Sequence, residues 1–281
     1  MLVICPTPIG NLEEVTERQR RWLTEADMVA CEDTRRCGKL MEHLGIDRSD
    51  GRPKLVRYDD HASEETVEYL SEAAAGDQAV VLVSDAGTPT ISDPGYRLVQ
   101  RAREWGAEVR PLSGPVAAMV ALSASGLASD RFYFEGFLPP KEGARQKRLK
   151  PLLAMEATVI FYESPRRVKA LLRELAESLG GERRVCVARE LTKRHEEIVV
   201  ATATEIHQQW EGRESGRGEF VVLVEGASGR DQGDVDWERA DRLIEALLEQ
   251  GLRSRTIKEV VDAVEDVPRS QIYDRINALK D

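Results

Sequence analysis

The chain has 281 residues, 41% hydrophobic and 32% charged, which is long for one hydrophobic core and ordinary for a soluble globular protein. Its net charge of −10 argues against wholesale coating of nucleic acid and leaves a local basic face as the electrostatic route to phosphates. No apolar stretch approaches the roughly 20 residues that span a bilayer, and the run Met1–Cys5 is too short for a secretory signal, so a cytoplasmic location is expected.

Short apolar runs rich in β-branched residues predict strands at Leu2–Cys5, Met28–Cys31, Val80–Ser84, Glu108–Leu112, Thr158–Tyr162, Val185–Ala188 and Phe220–Glu225. Amphipathic helices are predicted between them, at Glu64–Ala75, Tyr96–Trp105 and Arg167–Leu179. The alternation indicates an α/β protein with parallel sheets. Asp93-Pro94 and Ser164-Pro165 read as capping residues followed by a proline suited to a first helical turn. The segment Leu112–Leu127 is expected to carry the chain between two α/β domains, 1–114 and 115–226. A polar, glycine-rich linker follows at 227–235, and three helices at Trp237–Glu249, Ser254–Val264 and Ser270–Leu279 form a module over 236–281. Their order resembles a helix-turn-helix, while their excess of acidic residues favours a packing or dimerisation appendage.

Cys5, Cys31, Cys37 and Cys186 show neither CxxC spacing nor the density of a disulfide scaffold, and the four histidines lie far apart, so no metal site is expected. Open α/β sheets bind ligands in loops at the carboxyl ends of their strands. The first such loop, Pro6 to Asn11, lacks a GxGxxG pattern. The loop Ser84-Asp85-Ala86-Gly87-Thr88-Pro89-Thr90-Ile91-Ser92-Asp93-Pro94-Gly95 gathers small residues, hydroxyls and carboxylates after a strand. Small residues admit a ligand to the backbone, and carboxylates meet ribose hydroxyls or an ammonium group, all of which S-adenosylmethionine offers. Leu112 to Pro115, Phe161 to Arg167 and Ala188 to Lys193 are similarly placed, which suggests one cleft between two domains.

Thr7-Pro8-Ile9-Gly10-Asn11-Leu12, Ala30-Cys31-Glu32-Asp33-Thr34-Arg35, the Ser84–Pro89 and Ile91–Arg97 tracts, Phe134-Glu135-Gly136-Phe137-Leu138-Pro139, Phe161-Tyr162-Glu163-Ser164-Pro165 and Ala188-Arg189-Glu190-Leu191-Thr192-Lys193 together resemble the ribosomal RNA small subunit methyltransferase I family of the tetrapyrrole-methylase superfamily. They stand in that family's order and cover residues 1 to about 226. Arg166-Arg167 replaces the family's usual His-Arg, and Ala62 replaces asparagine in Tyr58-Asp59-Asp60-His61-Ala62. The resemblance implies S-adenosylmethionine bound between two α/β domains, a homodimer, and 2′-O-methylation of a cytidine ribose in small-subunit ribosomal RNA, free or in a 30S particle. Cofactor contacts are expected at Pro8, Gly10, Ser84, Asp85, Ala86, Gly87, Ser92, Asp93, Ser113, Gly114, Pro115, Phe161, Tyr162, Glu163, Ala188, Arg189, Glu190 and Leu191.

A sulfonium leaves neutral, so the reaction needs no metal; it needs in-line placement and an acceptor for the hydroxyl proton. Glu32 and Asp33 lead as acceptors, with Glu135, Lys141 and Lys193 behind them, although Asp33-Thr34 also reads as a helix cap. Arg35, Arg36 and His61, with Arg145, Lys147 and Arg148, are expected to contact RNA, the alternative for the charge runs being a solvated helix face. Two other functions stay open: methylation of a corrin or precorrin carbon, and a non-catalytic module that binds S-adenosylmethionine or RNA.

Overall fold

The computed structural model describes residues 1–179, 183–213, 218–227, 237–264, 267 and 269–279. The linker expected at 227–235 therefore lies, apart from Ala227, outside the described residues.

The first half is a five-stranded, wholly parallel sheet ordered β3-β2-β4-β1-β5, built from β1 (Leu2–Ile4), β2 (Met28–Cys31), β3 (Lys54–Arg57), β4 (Val80–Leu82) and β5 (Val109–Pro111). Strand alternation sends Leu2 and Ile4 to one face and Val3 and Cys5 to the other. The helices α3 (Glu64–Ala75) and α4 (Tyr96–Glu104) cover the Leu2 face, and α1 (Glu17–Glu25) and α2 (Thr34–His43) cover the Val3 face. Parallel pairing with both faces covered places the loops after all five strands along one edge of the sheet.

The second sheet corrects the expectation of parallel pairing throughout. Its order is β6-β7-β10-β8-β9, from β6 (Phe132–Phe137), β7 (Thr158–Glu163), β8 (Arg184–Arg189), β9 (Glu197–Thr202) and β10 (Phe220–Val224). Only β6 and β7 are parallel; the other three pairings are antiparallel. The seven residues joining β8 to β9 are too few for the crossover that parallel neighbours need. Helices α6 (Glu142–Leu153), α7 (Val168–Leu179) and α8 (Ala203–Glu211) pack on one face around Phe161 and Val222. Helix α5 (Ala117–Ser125) packs on the other, with Ile9 reaching across from the loop after β1. Burial of Ile9, 8% exposed, contributes about 1.5–3 kcal/mol and ties the two halves at that point.

Both proline-linked caps are corrected. The residue preceding α4 is Gly95, at φ +141° and without a side-chain cap, because a Cβ there would meet Leu82 Cδ2 at 2.7 Å. Helix α7 starts at Val168, with Ser164 and Pro165 in the turn before it. The last helices, α9 (Trp237–Glu249), α10 (Ser254–Val264) and α11 (Arg269–Ala278), enclose their own core of Ile244, Ile257, Val261, Ile272 and Ile276. Gly251, at φ +70°, closes α9 by donating its N–H to Leu248. No helix of the described residues is long and apolar enough to cross a membrane.

Candidate active site

The loops after β1, β4 and β5 are laced together by backbone bonds and threonine hydroxyls. Thr7 and Gly87 exchange N–H···O bonds at 2.9 and 3.0 Å, Thr7 Oγ1 donates to the Ser84 carbonyl at 3.0 Å, and Thr88 Oγ1 donates to the Pro115 carbonyl at 2.8 Å. Gly87 sits at φ +88°, where a side chain would also press on Ile9 at 3.3 Å. Thr90 and Ser92 adopt φ +75° and +63° in the same loop, a left-handed backbone that residues bearing a Cβ seldom hold away from functional sites. Gly114 lies flush against the ring of Pro6, leaving no room for a Cβ.

These loops border two adjoining cavities. The smaller, about 170 Å³, is lined by Thr7, Pro8, Gly10, Cys31, Cys37, Ser84 and Asp85 among others. The larger, about 280 Å³, lies between the two sheets and is lined by Ile9, Glu32, Asp85, Ala86, Gly87, Ile91, Ser92 and Asp93 from the first half and by Val116, Phe137, Tyr162, Glu163, Glu219 and Phe220 from the second. Arg36 and Asp85 border both cavities.

The structure thus brings Pro8, Gly10, Glu32, Arg36, Ser84, Asp85, Ala86, Gly87, Ser92, Asp93, Tyr162 and Glu163 to the two cavities. Other residues named from sequence lie elsewhere. Phe161 and Ala188 are fully buried and Leu191 is nearly so; the alternation of β7 and β8 turns the first two into the cores of the second sheet. Ser113, Gly114 and Pro115 support the site through backbone contacts rather than lining it. Arg189 stacks over the Phe220 ring, and Glu190 is held by Lys193.

Among the residues expected to accept the proton, Glu32 alone lines the cleft. Asp33 is the cap of α2, taking N–H bonds from Arg35 at 2.8 Å and Arg36 at 3.4 Å, and the Arg35 side chain holds its carboxyl well below the usual range. Lys193 bridges Glu190 and Glu219, both at 2.9 Å, and Lys141 is exposed at the start of α6. Of the expected RNA contacts, Arg35, Arg36, His61, Lys147 and Arg148 are exposed. Arg145 is corrected: it is 6% exposed and makes a two-pronged pair with buried Glu174, so it belongs to the α6–α7 packing and not to a basic face. Arg148 is tied to Glu135 at 2.6 Å.

Sequence reasoning missed Phe137, Ile91 and Glu219 as cleft residues. Phe137 offered a signal, since it stands in a motif already singled out; the structure places it at the end of β6, with the residue 56% exposed. Electrostatically the cleft is anionic. Burial, then Glu32, Asp85, Asp60 and Glu219, push Asp93 up to about 7, and burial also raises Glu32 and Tyr162. An anionic floor beside the apolar wall of Ile9, Ile91, Val116, Phe137 and Phe220 suits a cationic ligand that carries a flat ring.

Residues 1–207 match the family Tetrapyrrole (Corrin/Porphyrin) Methylases. The protein named ribosomal RNA small subunit methyltransferase I from Mesorhizobium japonicum is 41% identical over 280 residues, which is 100% of this chain and 92% of that protein. Its namesake from Vibrio cholerae serotype O1 is 43% identical over 259 residues (92% and 84%), and that from Escherichia coli O157:H7 is 41% identical over 274 residues (97% and 93%). Among solved structures, the methyltransferase CobJ superposes with a TM-score of 0.57 at 21% identity, covering 80% of this chain and 94% of that one. Uroporphyrin-III C-methyl transferase from Thermus thermophilus, complexed with S-adenyl homocysteine, superposes with a TM-score of 0.53 at 19% identity (79% and 96%). These two likenesses concern the fold. Full-length identity near 40% is the narrower finding: the chain belongs to the tetrapyrrole methylases and, within them, to the ribosomal RNA small subunit methyltransferase I family.

Proposed function

We propose that this chain is an S-adenosylmethionine-dependent methyltransferase of small-subunit ribosomal RNA and that the methyl group goes to the 2′-hydroxyl of a cytidine ribose. The observation that carries the reading is the convergence of the Thr7–Gly10, Glu32 and Ser84–Asp93 segments with Phe137, Tyr162 and Glu219 on one anionic, apolar-walled cleft. The names of relatives spanning nearly the whole chain support ribosomal RNA as the substrate class. The domains are taken as 1–114 and 115–226, followed by the linker 227–235 and the helical module 236–281, and the working form as a cytoplasmic homodimer.

When bound, S-adenosylmethionine supplies a methyl group on a positively charged sulfur that leaves neutral. Asp85, Ser84 and the small residues Gly10, Ala86 and Gly87 would hold it, since they offer a carboxylate, exposed backbone and no steric bar. Glu32 accepts the Asp85 N–H at 3.1 Å and so fixes the start of that loop. The protein's main task is to hold the ribose oxygen in line, and such placement is worth roughly 7–11 kcal/mol of barrier. Lys141, Lys147 and Arg166 from the second half are exposed cations available to RNA phosphates, whereas Arg35 and Arg36 are paired with Asp33 and Asp85.

Incubation with methyl-labelled donor and either deproteinised ribosomal RNA or 30S particles, followed by nucleoside mapping, tests the reading. Label in 2′-O-methylcytidine is expected. Label on a base, transfer to a tetrapyrrole carbon instead, or donor binding without any turnover would overturn it.

A further inference from the structure

Cys31 is the last residue of β2 and Cys37 lies in the first turn of α2, with only Glu32 and Asp33 between the two elements. Helix α2 buries Cys37 and Met41, one turn apart, so its core-facing stripe begins with a thiol beside the end of β2. Cys31 and Cys37 belong to one packed cluster with Cys5, and their own side chains share a hydrogen bond. The contact of Cys31 Sγ with the Val56 carbonyl is long by comparison with a strong bond, at 3.9 Å.

Burial alone would make these thiols inert. What sets the pair apart is the smaller cavity, about 170 Å³, whose wall includes both of them together with Arg36 and Asp85. Cys5 and Cys186 are also buried and stand in the wall of neither cavity. The hydrogen bond from the Cys31 thiol, and then the Arg48 guanidinium, draw Cys37 below the ordinary thiol range against the opposing cost of burial. The same hydrogen bond, with burial, keeps Cys31 protonated. The pair thus divides into an attacking sulfur and a resolving one. Burial pushes Cys5 up to about 12 and Cys186 up to about 11, which leaves both as unreactive thiols.

Resting on the donor placement proposed above, we infer that Cys31 and Cys37 are an oxidation site, which hydrogen peroxide entering the smaller cavity converts to a disulfide that weakens binding of the methyl donor. The Cys37 sulfur attacks one peroxide oxygen, the O–O bond breaks, and one water leaves as Cys37 becomes a sulfenic acid. The Cys31 sulfur then attacks the Cys37 sulfur, the S–O bond breaks, and a second water leaves with the Cys31 proton. Two thiols give up two electrons and two protons, and the peroxide is reduced to two waters. A dithiol reductant reverses the bond by exchange. The bridge ties the first turn of α2 to the end of β2. Arg36, the neighbour of Cys37, holds Asp85 at 2.7 Å on the shared wall of both cavities, so moving that turn displaces the carboxylate from the donor.

The test treats the reduced full-length protein with hydrogen peroxide, blocks free thiols with N-ethylmaleimide in denaturant, and maps tryptic peptides by mass. Arg35 and Arg36 lie between the two cysteines, so trypsin parts them unless a bridge joins their peptides. The joined peptide is expected, with Cys5 and Cys186 still alkylated, and dithiothreitol should return it to two. Calorimetric affinity for S-adenosylhomocysteine should fall about 10-fold on oxidation, the worth of one hydrogen bond to a charged group, and recover on reduction. In Cys31→Ser and Cys37→Ser, each compared with its own reduced form, peroxide should leave that affinity alone. Should either variant fail to fold, the bridge and the affinity ratio of the parental protein still decide. Intact Cys31 and Cys37 under peroxide that has already oxidised methionine overturns the inference. So does oxidation that reaches Cys5 or Cys186 equally, or a bridge that leaves the affinity unchanged. If the reduced protein binds no S-adenosylhomocysteine, the proposed function falls and the weakening of donor binding with it; if it binds and no bridge forms, only this inference falls.

Discussion

Arg36 Nη1 donates to Asp85 Oδ2 at 2.7 Å, joining the first turn of α2 to the loop after β4 where the two cavities meet. With side chains 71% and 27% exposed, the pair adds little to stability; its consequence is positional. It holds the Asp85 carboxylate at the shared wall of both cavities, beside the backbone of Ala86 and Gly87. Asp85→Ala should therefore weaken S-adenosylhomocysteine binding by about 10–100-fold, the worth of a hydrogen bond to a charged group, with thermal stability nearly unchanged. Calorimetry returning the parental affinity would remove this carboxylate from the site.

Glu32 and Asp33 are neighbours with separate tasks, and isosteric changes distinguish them. Asp33→Ala removes the cap of α2 and should lower the melting temperature, whereas Asp33→Asn, still a good cap, should not. Turnover of the folded protein should remain near parental in both. Glu32→Gln should instead lower methyl transfer while sparing the melting temperature, since it weakens the acceptor that fixes the Asp85 N–H. Unfolding scans paired with initial rates measure both; a turnover loss confined to Asp33→Asn would reverse the roles.

Arg145 and Lys147 sit two residues apart on α6 and should respond in opposite ways. Arg145→Ala strands the buried Glu174 carboxylate and should cost about 3–5 kcal/mol of stability, with no change in the salt dependence of RNA binding. Lys147→Ala should leave stability alone and reduce the slope of log affinity against log salt by about one if Lys147 meets a phosphate. Denaturant melts and salt titrations of RNA binding would show the pattern, and an unchanged slope makes Lys147 a solvated residue.

Phe137 stands at the cleft 56% exposed, its ring edge-on to that of Tyr162 with centroids 5.7 Å apart. Such a ring is a platform for an unstacked base, worth about 1–3 kcal/mol or ~5–150-fold. Phe137→Ala should raise the Michaelis constant for RNA by that factor, and Phe137→Trp should preserve it. Equal loss of S-adenosylhomocysteine affinity would place the cofactor, not RNA, against this face.

The pH dependence of stability has a definite sign. The folded protein holds Asp93 up to about 7, above its ordinary value of 3.8, so Asp93 favours folding most below pH 3.8 and that contribution is lost as pH rises through about 7. Asp93→Asn cannot ionise and escapes the loss. Its melting temperature relative to the parent should accordingly be higher at pH 8 than at pH 4. A difference independent of pH would show that Asp93 ionises as readily in the folded chain as in the unfolded one.

Local pattern was enough wherever an element answers mainly to its own residues. Apolar periodicity places α3 at Glu64–Ala75, β2 at Met28–Cys31 and α9 and α10 where they stand, because each buries a continuous stripe or face of its own sequence. The loops after the parallel strands were legible as a site for a related reason: parallel pairing sends successive carboxyl ends to one edge. β3, β6 and β9 escaped notice because all three are edge strands, half in solvent and carrying polar residues or, in β6, the left-handed Gly136. What tertiary structure alone decided is which like residues are taken and which are left open. Arg145 meets Glu174 across 29 positions, Lys193 meets Glu219 across 26, and Glu32 meets the Asp85 N–H across 53. No spacing rule in a linear chain encodes such partners, so a buried ion pair and an RNA contact look alike until the chain folds.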